Sequence, residues 1–420
     1  MSQTTQTFPI SAQKQTTQQD GNTSVKTTTC CIVGGGPTGA VLALLLARQG
    51  IPVMLLEAHK NFERDFRGDI IHASVMEIMD EIGLTEQLLQ SIPHTMTEQI
   101  IFKTPKQTVT FADFSRLKTP HPYLTIIPQP KFLEFIINEA KRYPQFQLVM
   151  GANVQELIEE DGEICGVRYR VQGGWQEVRA NLTIGADGRF SRIRQLAGLE
   201  LMKNTAPMDL FWLRLPRYDH EPEGLIARFG PKRAIVKYNS FDKWQMAYII
   251  PKGHYQQMRA KGIEALQKSI VEVVPEFADR VHHLQDWKQA SLLSVEVGIV
   301  ERWYRSGLLL IGDAAHVMSP VGGVGINYAI QDAVAAANIL SKPLKAGKLR
   351  TSHLAKVQRQ RYLPIKVTQR FQSFIQTQIT AKALQGDNTL KIPFYFNLPI
   401  LRDIPAWLLS FGVRTPHVKS

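Results

Sequence analysis

The spacing of apolar positions changes period several times along the chain. Residues 27–33 form a β-branched and apolar run that ends in glycines, the pattern of a buried strand. Residues 37–49 read as a helix, with a proline in the first turn and Gly50 at the position after its last turn. Residues 51–56 are a second apolar run, so strand, glycine turn, helix and strand fit into about 30 residues, a βαβ unit. Residues 72–82 place Val75, Ile78, Met79 and Ile82 on one helical face, and 131–142 predict a further helix. Between them, residues 100–127 mix short strands with prolines.

Residues 147–184 alternate short apolar runs with Asp161-Gly162 and Gly173-Gly174, which predicts hairpins. Residues 205–300 are strand-rich, with one helix at 262–273. A buried strand at 308–311, a glycine-rich loop and a helix at 328–340 follow. Residues 352–384 are polar and helical, and the last stretch mixes prolines with apolar residues. No internal repeat is present. The order predicts an α/β fold with α+β elements: a Rossmann-like domain, an inserted β-sheet domain and a C-terminal helical region.

Composition narrows the class. Hydrophobic residues make up 44% and charged residues 20% of 420, the profile of a soluble globular chain with a large core. The net charge of +12 is spread along the sequence and reads as a solvated basic surface. No nucleic-acid-binding signature accompanies it. Of three cysteines, Cys30 and Cys31 are neighbours in a strand and point to opposite faces. A disulfide framework is therefore not expected, and a reducing, cytoplasmic setting is. Residues 1–26 are rich in Thr, Gln and Ser without an apolar run, which predicts a disordered tail rather than a signal peptide. Near the C-terminus, Phe394, Phe396, Leu398, Ile400, Leu401, Ile404, Trp407, Leu408 and Leu409, with Arg402 and Arg414, fit either a membrane interface or packing against the first domain. Packing is the favoured reading.

The first βαβ unit carries chemistry. Gly34-x-Gly36-x-x-Gly39 follows a strand and opens a helix that begins Pro37-Thr38. Gly34 permits the tight turn, Gly36 lets the backbone approach a pyrophosphate, and Gly39 lets helix and strand pack closely. The helix N-terminus offers free N–H groups and a positive dipole end to phosphates. Glu57 ends the second strand about 20 residues on, where its carboxylate accepts from both ribose hydroxyls and repels a 2′-phosphate. The nucleotide is thus FAD or NAD, not NADP.

Two more segments distinguish these. One is Ile184-Gly185-Ala186-Asp187-Gly188-Arg189-Phe190-Ser191-Arg192-Ile193-Arg194. The other is Gly312-Asp313-Ala314-Ala315-His316, with Pro320-Val321-Gly322-Gly323-Val324-Gly325-Ile326-Asn327 after it. With the first glycine loop, they resemble the single-component flavoprotein monooxygenases of the para-hydroxybenzoate hydroxylase type, from about residue 28 to 340. The resemblance implies FAD as cofactor and NAD(P)H as a transient co-substrate. Asp313, at a strand end after Gly312, would reach the ribityl hydroxyls. N–H groups from Gly322 and Gly323 through Gly325, Ile326 and Asn327 would face the flavin N1–C2=O edge, where reduction places negative charge. Pro320 would lie near the site of oxygen activation. Asp187 and Gly188 would lie near the pyrophosphate and the nicotinamide's approach, Arg67 near the pyrophosphate, and Gln129 near the ribityl chain.

The resemblance further implies hydroxylation or epoxidation of an aromatic, polyketide-like or isoprenoid-like small molecule through a flavin C4a-hydroperoxide, by a monomer or homodimer. Alternatives on the same fold are a reductase, a halogenase or a non-enzymatic FAD-binding redox sensor. A halogenase would show Trp-x-Trp-x-Ile-Pro where Met246 and Tyr248 stand in this chain. His72 and His316 are read as packing or hydrogen-bonding residues, not bases. No metal-ligand spacing and no nucleophile elbow occur. The expected division is 27–100, 128–204 and 300–345 for the FAD domain, 101–127 and 205–299 for the substrate sheet, and 346–420 for the helical region. Phe211, Trp212, Phe229, Tyr238, Trp244 and Tyr248 are candidate pocket residues, but alternation alone does not say which face they share.

Overall fold

The computed structural model describes residues 24–63, 69–221, 223–230, 232–240, 242–386 and 399–419. The tail 1–23, Arg67, Phe394, Phe396 and Leu398 lie outside the described residues, as do the side chains of Ile400 and Leu401.

An eight-stranded sheet organises the first domain. Its main path runs Tyr304–Arg305, Leu308–Leu310, Gly174–Gly185, Ser24–Val33, Val53–Glu57 and Phe146–Met150. Every pairing on this path but the first, Tyr304–Arg305 with Leu308–Leu310, is parallel, with Cys30 opposite Leu182 and Val53, and Ile32 opposite Ile184 and Leu55. Parallel strands buried on both faces read as unbroken apolar runs, which is why these segments were legible. The hairpins Asn153–Glu160 and Glu163–Val171 extend the sheet from Gly174–Gly185 through turns at Asp161-Gly162 and Gly173-Gly174. The helix Pro37–Arg48 is buried from Thr38 to Ala47, because it lies between this sheet and the long helix Gly325–Lys345. Cys30 and Cys31 are both free and fully buried.

The first strand begins at Ser24, earlier than residue 27, since Ser24–Lys26 find partners at Gln176–Val178. The long helix runs Gly325–Lys345 rather than 328–340, because its first turn opens on Gly325 directly after the glycine loop and its last carries Lys342 and Pro343. A short helix Tyr255–Ala260 precedes the expected Ile263–Val273.

A second, seven-stranded sheet has the order Ser291–Leu293, Met208–Pro216, Lys243–Pro251, Arg233–Ser240, Leu225–Gly230, Gln99–Lys103 and Thr108–Asp113. The segment 114–127 was expected with this sheet. Instead its strand Leu124–Ile126 pairs with Ile70–Ile71 and Thr95–Thr97 in a separate small sheet. Side-chain alternation divides the large sheet into two faces. Phe211, Leu213, Trp244, Met246 and Tyr248 pack on Leu266 and Ile270 of the helix Ile263–Val273. Each such buried aliphatic side chain contributes roughly 1.5–3 kcal/mol. The opposite face turns toward the first domain.

The polar stretch after residue 350 is one helix, Thr351–Ile375, extended by a π turn at Gln376–Thr380 and by Ala381–Leu384. Leu354, Val357, Arg361, Ile365, Thr368, Gln372 and Ile375 are its buried face, so part of that polarity points inward. The last helix, Pro399–Ser410, buries Ala406 and Leu409 and exposes Ile404 and Trp407. No helix among the described residues is long and apolar enough to cross a membrane.

Candidate functional site

Three loops at the ends of parallel strands, and a fourth that follows the short antiparallel strand His316–Val317, meet around one cavity of about 710 Å³. The first is the glycine turn. Gly34 has φ +107°, and a Cβ there would stand 2.4 Å from the Ala186 carbonyl oxygen, so no side chain fits. A Cβ on Gly39 would stand 1.9 Å from the Gly34 carbonyl oxygen, which makes it the close-packing glycine. Gly36 is extended at φ −71° and ψ −178° and caps the helix without a side chain. Gly34, Gly36, Pro37 and Thr38 all face the cavity. Glu57 faces it too, but its carboxylate is already engaged. Gly35 N–H donates to Oε2 at 2.7 Å, and His59 N–H donates to Oε1 at 2.9 Å. Glu57 therefore fixes the glycine turn as well as walling the site.

The second loop holds Asp187 and Gly188. Ser191 Oγ–H and Ile193 N–H donate to the Asp187 carboxylate at 2.5 and 3.0 Å, so this side chain organises the turn into the helix Arg192–Leu196. Burial raises its pKa from the usual aspartate value. The buried Arg194 donates to the carbonyls of Arg189 and Ala314 at 2.9 and 3.0 Å. It thereby ties the second loop to the third.

The third loop is Gly312-Asp313. Gly312 N–H donates to Asp332 Oδ2 at 3.0 Å, and Asp332 is fully buried. Arg361 Nε–H and His316 Nε2–H donate to the same carboxylate at 2.7 and 2.5 Å. Their charges and hydrogen bonds hold Asp332 below the usual carboxylate range against the burial that opposes it. Asp313 lines the cavity, and its carboxylate makes no hydrogen bond among the described residues.

The fourth loop spans Ser319 to Gly325. Pro320, Gly322, Gly323, Gly325 and Ile326 line the cavity. The N–H groups of Gly325 and Ile326 open a helix and have no intrahelical acceptor. Asn327 differs from its neighbours. Its backbone N–H donates to Val324 O at 3.0 Å, and its side chain accepts from His72 N–H and donates to Ile70 O. It shapes the loop from behind. Gly322 meets Leu409 of the last helix, where a Cβ would come within 2.4 Å.

Two glutamines that the sequence did not single out hold this loop in place, together with His72, which was read as a hydrogen-bonding residue. Gln372 Nε2 donates to the Ser319 and Val321 carbonyls, each at 2.8 Å, and Gln376 Nε2 donates to Ser319 Oγ at 2.8 Å. His72 is completely buried and bonds Gly322 O at 3.0 Å, so its Nε2 carries the proton. Burial lowers its pKa to about 4, and it stays neutral as a structural donor. The glutamines sit in a run that looks merely polar. Only their helical spacing of four residues marks a shared face.

Across the cavity lies the large sheet. Of the six candidate aromatics, Trp212, Phe229 and Tyr238 line the cavity, with Ile100, Phe102 and Leu210. Phe211, Trp244 and Tyr248 belong to the rear core instead, because adjacent strand residues face opposite ways. Met246 faces rearward with them. Gln129 begins its helix and faces the cavity, and its backbone N–H donates to Asp69 at 3.1 Å.

These features fit a flavin dinucleotide. Free helix N–H groups and glycines that admit no side chain suit phosphates. An unengaged carboxylate at Asp313 suits a polyol. Unpaired N–H groups at Gly325 and Ile326 suit a ring edge that becomes anionic. Among the described residues no cluster of His, Cys, Asp and Glu could hold a metal.

The sequence family described as FAD binding domain matches residues 26–371. The chain is 35% identical over 317 residues to 6-methylpretetramide 4-monooxygenase of Streptomyces rimosus, covering 74% of each protein. It is 23% identical over 304 residues to pentachlorophenol 4-monooxygenase of Sphingobium chlorophenolicum, covering 71% of this chain and 55% of that protein. Its fold is similar to that of OxyS anhydrotetracycline hydroxylase from Streptomyces rimosus, with a TM-score of 0.74 at 23% identity, over 94% of this chain and 78% of that one.

Proposed function

We propose that this chain, which belongs to the FAD-binding family of flavoprotein monooxygenases, oxygenates a flat hydroxyaromatic or polyketide-type molecule held between the flavin and the seven-stranded sheet. One observation carries the reading. A single cavity of about 710 Å³ joins all four cofactor-facing loops to an apolar wall of Ile100, Phe102, Leu210, Trp212, Phe229 and Tyr238. That volume lies within the usual range for small-molecule sites. The relatives named for 6-methylpretetramide and for pentachlorophenol support this substrate class.

When bound, FAD supplies the redox chemistry: it takes two electrons from NAD(P)H and activates O2. The chain supplies binding and orientation. Gly34, Gly36 and the helix after Pro37 would hold the pyrophosphate. Glu57 would hold the adenosine ribose with whatever acceptor capacity the Gly35 and His59 bonds leave. Asp313 would hold the ribityl chain, and Gln129 would support it. The N–H groups of Gly325 and Ile326 would stabilise negative charge at the ring edge. The sheet wall and Leu409 exclude water from the space above. The loop Pro320–Gly323 would form the floor on which the substrate meets activated oxygen.

The test is coupled turnover. Purified holoenzyme should oxidise NAD(P)H slowly alone and faster with a fused-ring polyphenol, releasing less hydrogen peroxide per NAD(P)H as the product forms. Oxidation that no hydroxyaromatic accelerates would point to a reductase or redox sensor instead. Trp212→Ala should raise KM for the polyphenol by roughly 10-fold or more, since a lost aromatic contact of this size is worth a few kcal/mol. FAD content should not change.

A further inference from the structure

The net charge of +12 is not spread along the chain as expected. Between Ala333 and Gly386 stand ten Lys and Arg and no Asp or Glu, so this one segment carries nearly all of the excess. It forms the end of the helix Gly325–Lys345, the helix Thr351–Ile375 and the turns after it. Of the ten cations, only Arg361 forms an ion pair among the described residues, and it is buried against Asp332. On the first domain and the large sheet, by contrast, Arg179 pairs with Glu160 and Glu177, Arg305 with Glu159 and Arg228 with Glu276.

The helix Thr351–Ile375 sorts these cations onto one side. Leu354, Val357, Arg361, Ile365, Thr368 and Gln372 face the protein. Lys356, Arg359, Leu363, Lys366, Arg370 and Phe374 recur at spacings of three and four residues and make the opposite stripe. All are exposed except Lys366, which is half-buried with its ammonium 4.8 Å from the Tyr362 ring. Leu363 is 62% exposed and Phe374 47%. Like charges at these spacings repel, and no acid in the first turn offsets the positive end of the helix dipole. A surface shaped for stability alone would intersperse acids. At the start of the stripe a cavity of about 330 Å³ is lined by Lys342, His353, Lys356 and Lys419, with Asn338 and Gln360. His353 Nδ1 accepts from Arg350 N–H at 3.1 Å, so its Nε2 carries the proton and is a donor. None of these groups serves the flavin cavity.

We propose that this face docks on the surface of an anionic lipid bilayer. Charge complementarity sets the sign of the partner, because the stripe brings cations with no acids among them. The exposed Leu363 and Phe374 set its kind. Placed between cations, they can enter the boundary of the acyl chains while Lys356, Arg359 and Arg370 stay among the headgroups. A nucleic-acid backbone has no apolar layer to receive them. The stripe is straight and runs about 27 Å from Lys356 to Phe374, which suits a plane of headgroups. The cavity at its start, with its lysines and the His353 N–H, suits one lipid phosphate. The contact is peripheral, since no helix among the described residues is long and apolar enough to cross a membrane. The other face of the same helix holds the Ser319 and Val321 carbonyls through Gln372, so docking leaves the flavin loop's supports in place. The proposal concerns where the enzyme works and does not depend on which substrate it takes.

The experiment sediments holoenzyme with vesicles of phosphatidylcholine alone and of phosphatidylcholine mixed with phosphatidylglycerol, over a range of NaCl. Wild type should bind the mixed vesicles and not the neutral ones, and binding should fall steeply as salt rises. Lys356→Glu, Arg359→Glu, Lys366→Glu and Arg370→Glu together should weaken binding to mixed vesicles roughly 100-fold or more. Leu363→Ser with Phe374→Ser, which keeps every charge, should weaken it roughly 10-fold. FAD content and NAD(P)H oxidation without vesicles should match wild type in both variants. Equal binding to the two vesicle types, or none to either, overturns the proposal. So does a charge-reversed protein that binds like wild type. Binding to polyglutamate or duplex DNA as tight as to mixed vesicles, or a Leu363→Ser/Phe374→Ser protein that binds vesicles like wild type, would overturn the lipid assignment in favour of an acidic macromolecule. Should the charge-reversed variant not fold, the wild-type salt series decides alone: binding to mixed vesicles that NaCl leaves unchanged overturns the proposal.

Discussion

Two buried titratable side chains pull stability in opposite directions. His72 has a depressed pKa, so the unfolded chain takes a proton below the ordinary value of 6.5 while the fold resists until about 4. Its contribution is complete above 6.5 and is lost as pH falls through that window. Asp69 has a raised pKa, so the fold keeps its proton between 3.8 and about 6 while the unfolded chain gives it up. Its contribution is lost as pH rises through that window. His72→Gln should therefore flatten the acid side. Between pH 7 and pH 5 it should recover about 2 kcal/mol relative to wild type, read as a smaller drop in thermal midpoint. An unchanged drop would show that His72 is protonated in the fold. The roles of these two residues were less visible in the sequence than the glycine turn. Gly34, Gly36 and Gly39 announce themselves because backbone geometry dictates their identity over six positions. His72 and Asp69 acquire their roles from Gly322 and Gln245, which are 250 and 176 residues away. No local pattern records that.

Among the elements, the C-terminal helix Thr351–Ile375 is where the sequence said least about the site. Its face carries Arg361 to Asp332 and Gln372 to the Ser319–Val321 backbone. Polar residues on a buried face hide the apolar period that reveals most helices. The strands of the parallel sheet were legible for the opposite reason, since burial on both sides leaves them uniformly apolar. The large sheet was legible as strands, but its two faces separated only when the helix Ile263–Val273 was seen to cover one of them. Arg361→Leu tests the helix's part. It removes the Arg361 guanidinium from the fully buried Asp332, and breaking a buried ion pair typically costs about 3–5 kcal/mol. Because Asp332 also holds Gly312 N–H, weaker FAD retention should accompany the lower thermal midpoint. Lowered stability with FAD affinity intact would separate the helix from the cofactor loop. Gln372→Leu should be milder in stability and should alter the flavin's visible spectrum, because it frees two carbonyls of the loop that includes Val321.

For the whole molecule, the nucleotide domain and the sheet share one cavity, and Asp69 hydrogen-bonds to both sides of it. FAD touching four loops from distant parts of the chain should stabilise the whole, by about 2.7 kcal/mol at a hundredfold excess over Kd. Gly36→Val should abolish that gain by placing a side chain where the pyrophosphate would lie, seen as a thermal midpoint that no longer responds to added FAD. The measurement closest to the central claim is turnover of a hydroxyaromatic under ¹⁸O2 with mass analysis of the product. Monooxygenation predicts one labelled oxygen atom in each product molecule and none from ¹⁸O-water. Unlabelled product, or NAD(P)H consumed entirely to hydrogen peroxide with every hydroxyaromatic offered, would contradict it.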